Sequence, residues 1–169
     1  RCSAAWYGTG SPTLWENAHQ PSESYVPYMV TGSYYYMSEL AFAASRNEIE
    51  PNPVYRGYSQ GLIDESYSQV RGKAWVLRQL ADAAWLLPDG YPLKAEFNAS
   101  VNNSLADWNQ KYTHNPSANP LGLVDSGHTY SVNGGTKNAM APWMHSFFTW
   151  SAGHAADLGF AGATELRDW

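Results

Sequence analysis

Between Tyr67 and Phe97 the chain spells one helix, an abrupt stop and the start of another. Val70, Ala74, Leu77, Ala81, Ala84 and Trp85 recur at three- and four-residue steps, which collects them on one helical stripe. Pro88-Asp89-Gly90 ends that stripe. Proline cannot continue the hydrogen-bond ladder, and glycine accepts the positive φ of a helix C-cap. Pro92 stands where the first turn of a new helix tolerates proline. Leu93, Phe97, Val101, Leu105, Trp108 and Tyr112 then follow at steps of 4, 4, 4, 3 and 4, which predicts a helix from Pro92 to Tyr112. Two apolar stripes joined by so short a stop must pack on each other, so the unit is an antiparallel helical hairpin.

The same unit is legible on either side. Residues 1–18 read as an irregular lead-in. Pro21 or Ser22 opens a helix reaching about Val30, and Thr31-Gly32 stops it. Tyr34 to Ile49 reads as a second helix, with Tyr36, Leu40, Ala43 and Ala44 on its inner stripe, ended by Pro51-Asn52-Pro53. A loop rich in Gly, Tyr, Ser and Pro covers Asn52 to Ser68. Another, from Thr113 to Met140, is long enough to be functional or partly strand-like. Ala141-Pro142 opens a helix from Trp143 to Leu158, Gly159 and Gly162 break it, and Ala163 to Trp169 begins a last one. Three helix pairs therefore stop at Gly32, Gly90 and Gly162, and the length variation between them falls in the long loops, as in a helical repeat. The expectation is an all-α fold of antiparallel helical hairpins with long loops on one face. Residues 1–169 read as a single helical domain. The start at Arg1 and the short last helix read as a leader removed or a segment of a longer protein.

Composition excludes several functions. Charged residues are 15% against 44% hydrophobic, which suits a folded core rather than disorder. The formal net charge of −5 and the absence of a basic run argue against nucleic acid. No apolar window is long enough for a membrane span. A single cysteine, Cys2, excludes an internal disulfide and a cysteine-based zinc site. No phosphate loop, nucleophile elbow or dinucleotide fingerprint is present, and no cofactor is implied. Asn98-Ala99-Ser100 and Asn102-Asn103-Ser104 match the N-glycosylation acceptor pattern. Eight Trp, 12 Tyr and 5 Phe read first as a large core; the sharper reading is that some line a groove, since sugar rings and bases both stack on aromatic faces.

Three segments open helices directly after irregular or long-loop sequence: His19-Gln20-Pro21-Ser22, Gln69-Val70-Arg71-Gly72-Lys73-Ala74-Trp75, and Ala141-Pro142-Trp143-Met144-His145-Ser146-Phe147-Phe148. They resemble the starts of inner helices in the (α/α) toroid, the six-hairpin architecture of many glycoside hydrolases and polysaccharide lyases. The resemblance covers about residues 19–169, three hairpins and therefore half of a ring. It implies a carbohydrate-active domain that binds or cleaves a polysaccharide or oligosaccharide. If the domain is an enzyme, it implies a glycoside hydrolase or a polysaccharide lyase. It further implies an extracellular or periplasmic location, and further chain segments or self-association to complete the toroid. The alternative is a non-catalytic structural or assembly module of a larger secreted protein.

In that geometry the starts of the inner helices and the long loops share one face, which gathers His19, Glu23, Tyr25, Arg56, Asp64, Glu65, Tyr67, Arg71, Asp125, His128, Trp143 and His145. Hydrolysis needs two carboxyls flanking the bond, from among Glu23, Asp64, Glu65 and Asp125. A uronate lyase needs a base, from Tyr67, His128 or His145, and a cation such as Arg71 or Arg56 for the carboxylate. Glu23, Asp64, Glu65, Tyr67, Arg71 and His145 are the catalytic candidates. His19, Tyr25, Arg56, Trp75, Asp125, His128 and Trp143 are the substrate-binding ones, with Trp75 and Trp143 as stacking platforms. Each has a plainer reading: Glu23 complements a helix dipole, Asp64 and Glu65 are solvated, Arg71 is an anchor, and His145 is a hydrogen-bonded core histidine. Trp85, Trp108 and Trp150 fall on apolar stripes and read as core. His154, late in its helix, reads as a cation at a helix C-terminus. No metal is expected, because His19, His128 and His145 have no ligand spacing.

Overall fold

The computed structural model describes residues 18–63, 70–124, 129–132, 135–138 and 141–169. Six α-helices form its framework: α1 Tyr25–Thr31, α2 Tyr34–Ile49, α3 Val70–Leu86, α4 Lys94–Lys111, α5 Pro142–Asp157 and α6 Ala163–Asp168. Two short strands, β1 Thr129–Val132 and β2 Gly135–Asn138, pair antiparallel within the second long loop. The fold is therefore all-helical with one small hairpin.

Helix α3 is the centre, packed against α2, α4 and α5, while α6 closes over α4 and α5. Its burial extends nearly all round, from Val70, Ala74, Leu77, Ala81 and Ala84 to Val76, Leu80 and Ala83. Alanine at so many of these positions lets the neighbouring helices come close. The stripe on α4 is buried as its spacing requires: Phe97, Val101, Leu105 and Trp108 lose all solvent contact. Trp108 meets Phe148 of α5 edge-on, with ring centroids 5.2 Å apart.

Helix α5 runs parallel to α3. Arg71 lies over Trp143, Trp75 packs on Phe147, Arg78 lies over Trp150 and Asp82 bonds His154. Each pair is separated by 72 residues, and the contacts advance by 4, 3 and 4 along both helices. A constant offset is possible only if the two axes point the same way, and the 4-3-4 rhythm is that of a knobs-into-holes seam.

Several local expectations need correction. Ser22 does not cap α1, which begins three residues later. Its hydroxyl donates instead to buried Asp82 at 2.7 Å. Gly90 has no positive φ, so α3 ends because Pro88 offers no N–H. The turn that follows is closed by Tyr91 N–H to the Pro88 carbonyl. Gly32 and Gly162 are left-handed. Trp85 and Trp150 are not core residues: 47% and 48% of their surface is exposed. The reason is the same for both. α3 buries Leu77, Ala81 and Ala84 and α5 buries Phe148, Ala152 and Ala155, which leaves these indoles on the outer side of their helices.

The described part of the first long loop is tied to α4. Asn103 donates to the Gln60 carbonyl at 2.7 Å, and Ile63 N–H donates to the Ser104 hydroxyl at 2.9 Å. Asn98 and Asn102, the two acceptor asparagines, face solvent on α4, with Ser100 and Ser104 buried beneath them.

A candidate binding cleft along helix α5

Described residues from the expected site fall into separate places. Arg71, Trp75, Trp143 and His145 stand at the start of the α3–α5 seam. The Arg71 guanidinium lies 5.4 Å from the Trp143 ring centre, and its Nε is buried with no hydrogen-bond partner. Trp75 is half-buried against Phe147, with centroids 4.6 Å apart, so its ring is not a free platform. Trp143 is 54% exposed. His145 is buried, its Nδ1 has no partner, and burial pulls its pKa below the ordinary value.

His19, Glu23 and Tyr25 are not with them. The residues before α1 are fastened to the late part of α3. Gln79 donates to the carbonyls of Gln20 and Pro21, and Ser22 reaches Asp82. Asp82 is eleven residues, about 16 Å, along α3 from Arg71. The reason is polar accounting: Gln79 and Asp82 are buried on α3 and need partners, and the segment before α1 supplies them. His19 and Glu23 are exposed there, and Tyr25 packs edge-on to His154 with centroids 5.4 Å apart.

Arg56 is a structural anchor. It pairs with the Glu48 carboxylate and donates to the carbonyls of Glu48, Gly61 and Leu62, which closes the loop after α2. Asp64, Glu65, Tyr67, Asp125 and His128 lie outside the described residues.

At the other end of the seam is a group that sequence reasoning missed. Asp82 is fully buried. One carboxylate oxygen accepts from His154 Nε2 at 2.6 Å. The other accepts from Ser22, with Arg78 Nε 4.0 Å away. Arg78 in turn lies over Trp150, 4.3 Å from its ring centre, so the arginine–tryptophan pairing of Arg71 and Trp143 is repeated two turns along. Burial, then the Asp82 charge, pushes the Tyr25 phenol above its ordinary pKa, with Arg78 opposing. Burial lowers Arg78, with Asp82 and Tyr25 opposing.

A cleft of about 430 Å³ opens beside this group. Ser146, Thr149, Trp150, His154 and Asp157 line it from α5, and Arg167 closes it from α6. Gly153 lets Arg167 approach: a Cβ there would stand 3.3 Å from the arginine Cδ. The hydroxyls of Ser146 and Thr149 donate back to the carbonyls of Pro142 and His145, which leaves their oxygens to the cleft as acceptors. Phe147, Trp150 and His154 form a run of near-parallel rings, with interplanar angles of 22° and 17°. Among the described residues no cluster of three metal-ligating side chains exists, and no helix is long and apolar enough to cross a membrane.

The sequence held two signals for this site. Asp82 is a charge set among apolar residues of a helix buried all round, which demands a partner. Arg71 and Arg78 on one helix match Trp143 and Trp150 on another at the same seven-residue interval. No protein-family model, no curated protein and no solved structure matches the chain.

Proposed function

We propose that the chain is a carbohydrate-active domain that holds a polysaccharide or oligosaccharide along the exposed edge of α5. One observation carries this reading: Trp143 and Trp150 are half-exposed, each backed by a guanidinium, and lie seven residues apart on one ridge. Seven residues are two helical turns, about 10 Å, so both indoles face the same way at a spacing that suits alternate sugars of one extended chain. An arginine over each ring fixes it; Trp143 keeps a face for the apolar side of a sugar, and Trp150, held between Arg78, Phe147 and His154, offers its exposed part. The cleft beside Trp150 adds the hydroxyl, imidazole and carboxylate groups that orient a polar ligand.

The parallel α3 and α5, with their starts at one end, support the reading of this chain as part of an (α/α) toroid. Cleavage would need more than this cleft offers. Asp157 is its one carboxylate among the described residues, and a glycosidase needs two.

Electrophoresis through gels containing soluble polysaccharides, neutral and acidic, tests the proposal. Retention by at least one polymer is expected. Trp143→Ala and Trp150→Ala should each weaken it about tenfold, equivalent to about 1.4 kcal/mol. Retention unchanged in both variants sinks the proposed surface.

A second reading, an assembly module, is favoured by the large apolar side chains exposed on α1 and α2, among which Glu39 and Arg46 also lie. Tyr35, Phe42 and Ile49 recur at seven-residue steps on α2 and are all exposed, with Val26, Met29 and Val30 exposed on α1.

A further inference from the structure

We infer that His154 is the polar recognition group of the α5 cleft, and that it accepts a hydrogen from a hydroxyl of an uncharged sugar on Nδ1. The inference rests on the carbohydrate reading and names the chemistry of one subsite within it.

The starting point is the buried carboxylate. Asp82 has no solvent contact, so its charge is held by its protein partners. Ser22 donates to one oxygen at 2.7 Å and His154 Nε2 lies 2.6 Å from the other. An ionised carboxylate only accepts, so Nε2 carries the hydrogen. In the neutral ring Nδ1 is then the lone-pair nitrogen. That nitrogen has no partner among the described residues, and it is not among their buried unpartnered atoms. His154 also lines the cleft. The ring is locked further by Tyr25, edge-on at 5.4 Å, and by Trp150, near-parallel at 6.3 Å. A histidine with one nitrogen held by a buried carboxylate and the other open to a cleft is a fixed acceptor, not a rotating surface group.

The arrangement is not a serine nucleophile. Ser22 and His154 bond different oxygens of Asp82, so the imidazole is not placed to take the serine proton.

Charge balance sets the ligand class. The charged and titratable groups around His154 are Tyr25 from α1, Arg78 and Asp82 from α3, Asp157 from α5 and Arg167 from α6. Arg78 is offset by Asp82. Arg167 donates to Asp168 at 2.7 Å and also feels Asp157. Arg78 and Arg167 stand against three carboxylates, Asp82, Asp157 and Asp168, so no net positive charge draws a uronic acid to this subsite in preference to a neutral sugar. A neutral sugar on the Trp150 ring gains an acceptor at Nδ1 and further acceptors at Ser146, Thr149 and Asp157.

The experiment is a ring-nitrogen NMR titration of the unaltered protein. Neutral hexasaccharides of glucose, xylose and mannose serve as probes, with hexagalacturonate as the charged counterpart. The free protein should show the Nε2–H tautomer for His154. A neutral probe should shift Nδ1 selectively. Asp82→Asn keeps the shape but releases the tautomer, and should weaken that probe about tenfold.

An Nδ1–H tautomer, or tighter binding of hexagalacturonate than of every neutral probe, overturns the inference. If Trp143→Ala and Trp150→Ala still weaken polysaccharide retention in that case, the carbohydrate reading stands without it. Absence of any retention or shift sinks both.

Discussion

At the scale of single residues, buried polar groups dictate the arrangement more than apolar ones do. Gln79 and Asp82 sit in the interior of α3, and their partners decide where the segment before α1 must lie. Gln20 and Asn47 complete the same network, each donating to the other's side-chain oxygen at 3.0 and 2.9 Å. His145 is different, since its Nδ1 is buried without a partner. Burial holds its imidazole neutral by lowering the folded-state pKa. The unfolded chain therefore takes up the proton first as pH falls through the ordinary histidine range, about 6.5 and below. Stability supplied by the neutral ring is complete above that range and declines below it. Urea unfolding of the protein and of His145→Phe at pH 7.5 and pH 5.5 checks this: the variant should lose less stability between the two pH values.

At the scale of elements, three glycine stops that look alike in sequence have different physical roles. Gly32 is left-handed with open space around the position of a Cβ. Gly90 has no positive φ and the same open space. Gly162 is left-handed, and a Cβ there would stand 2.7 Å from Asn109 Nδ2, whose amide donates to the Gly162 carbonyl at 2.9 Å. That contact joins α4 to the start of α6. Alanine should therefore be nearly neutral at Gly90. At Gly32 it should cost about 1 kcal/mol, the strain of the backbone alone. At Gly162 it should cost about 2 kcal/mol or more, because Asn109 must also move. Equilibrium urea unfolding ranks the three, and an equal cost at all of them would contradict this assignment.

At the scale of the whole molecule, two faces stand out. The α5 edge carries spaced indoles with polar groups beside them, which fits a small polar ligand. The α1–α2 face carries exposed Tyr35, Phe42 and Ile49 in line, with Glu39 and Arg46 between them on the same stripe, which fits a partner surface of mixed apolar and charged character. Self-association through that face should make the sedimentation coefficient rise with concentration, and Phe42→Ser should keep the protein monomeric. Sedimentation of the unaltered protein that stays monomeric at high concentration would remove the assembly reading and leave the α5 face alone.

The sequence by itself determined the helices. Spacing placed α2, α3, α4 and α5 to within a few residues, and the 4-4-4-3-4 stripe from Leu93 to Tyr112 identified the side of α4 that is buried from Phe97 onward, because apolar periodicity is a local property of the chain. It also left the second long loop open to strand, and β1 and β2 lie there. Tertiary structure decided which ends of the helices meet. Arg56 looked like a ligand group and is an anchor, since only the fold brings the carbonyls of Glu48, Gly61 and Leu62 around it. Tyr25 and Arg71 looked like neighbours and stand at opposite ends of one seam. Trp150 and His154 read as core and helix end, and together they line the cleft. Periodicity gives the face of a helix but not its register against a neighbour, and register is set by long-range pairs such as Asp82 with His154 and Ser22. Those partners are 72 and 60 residues away from Asp82, beyond the reach of any local pattern.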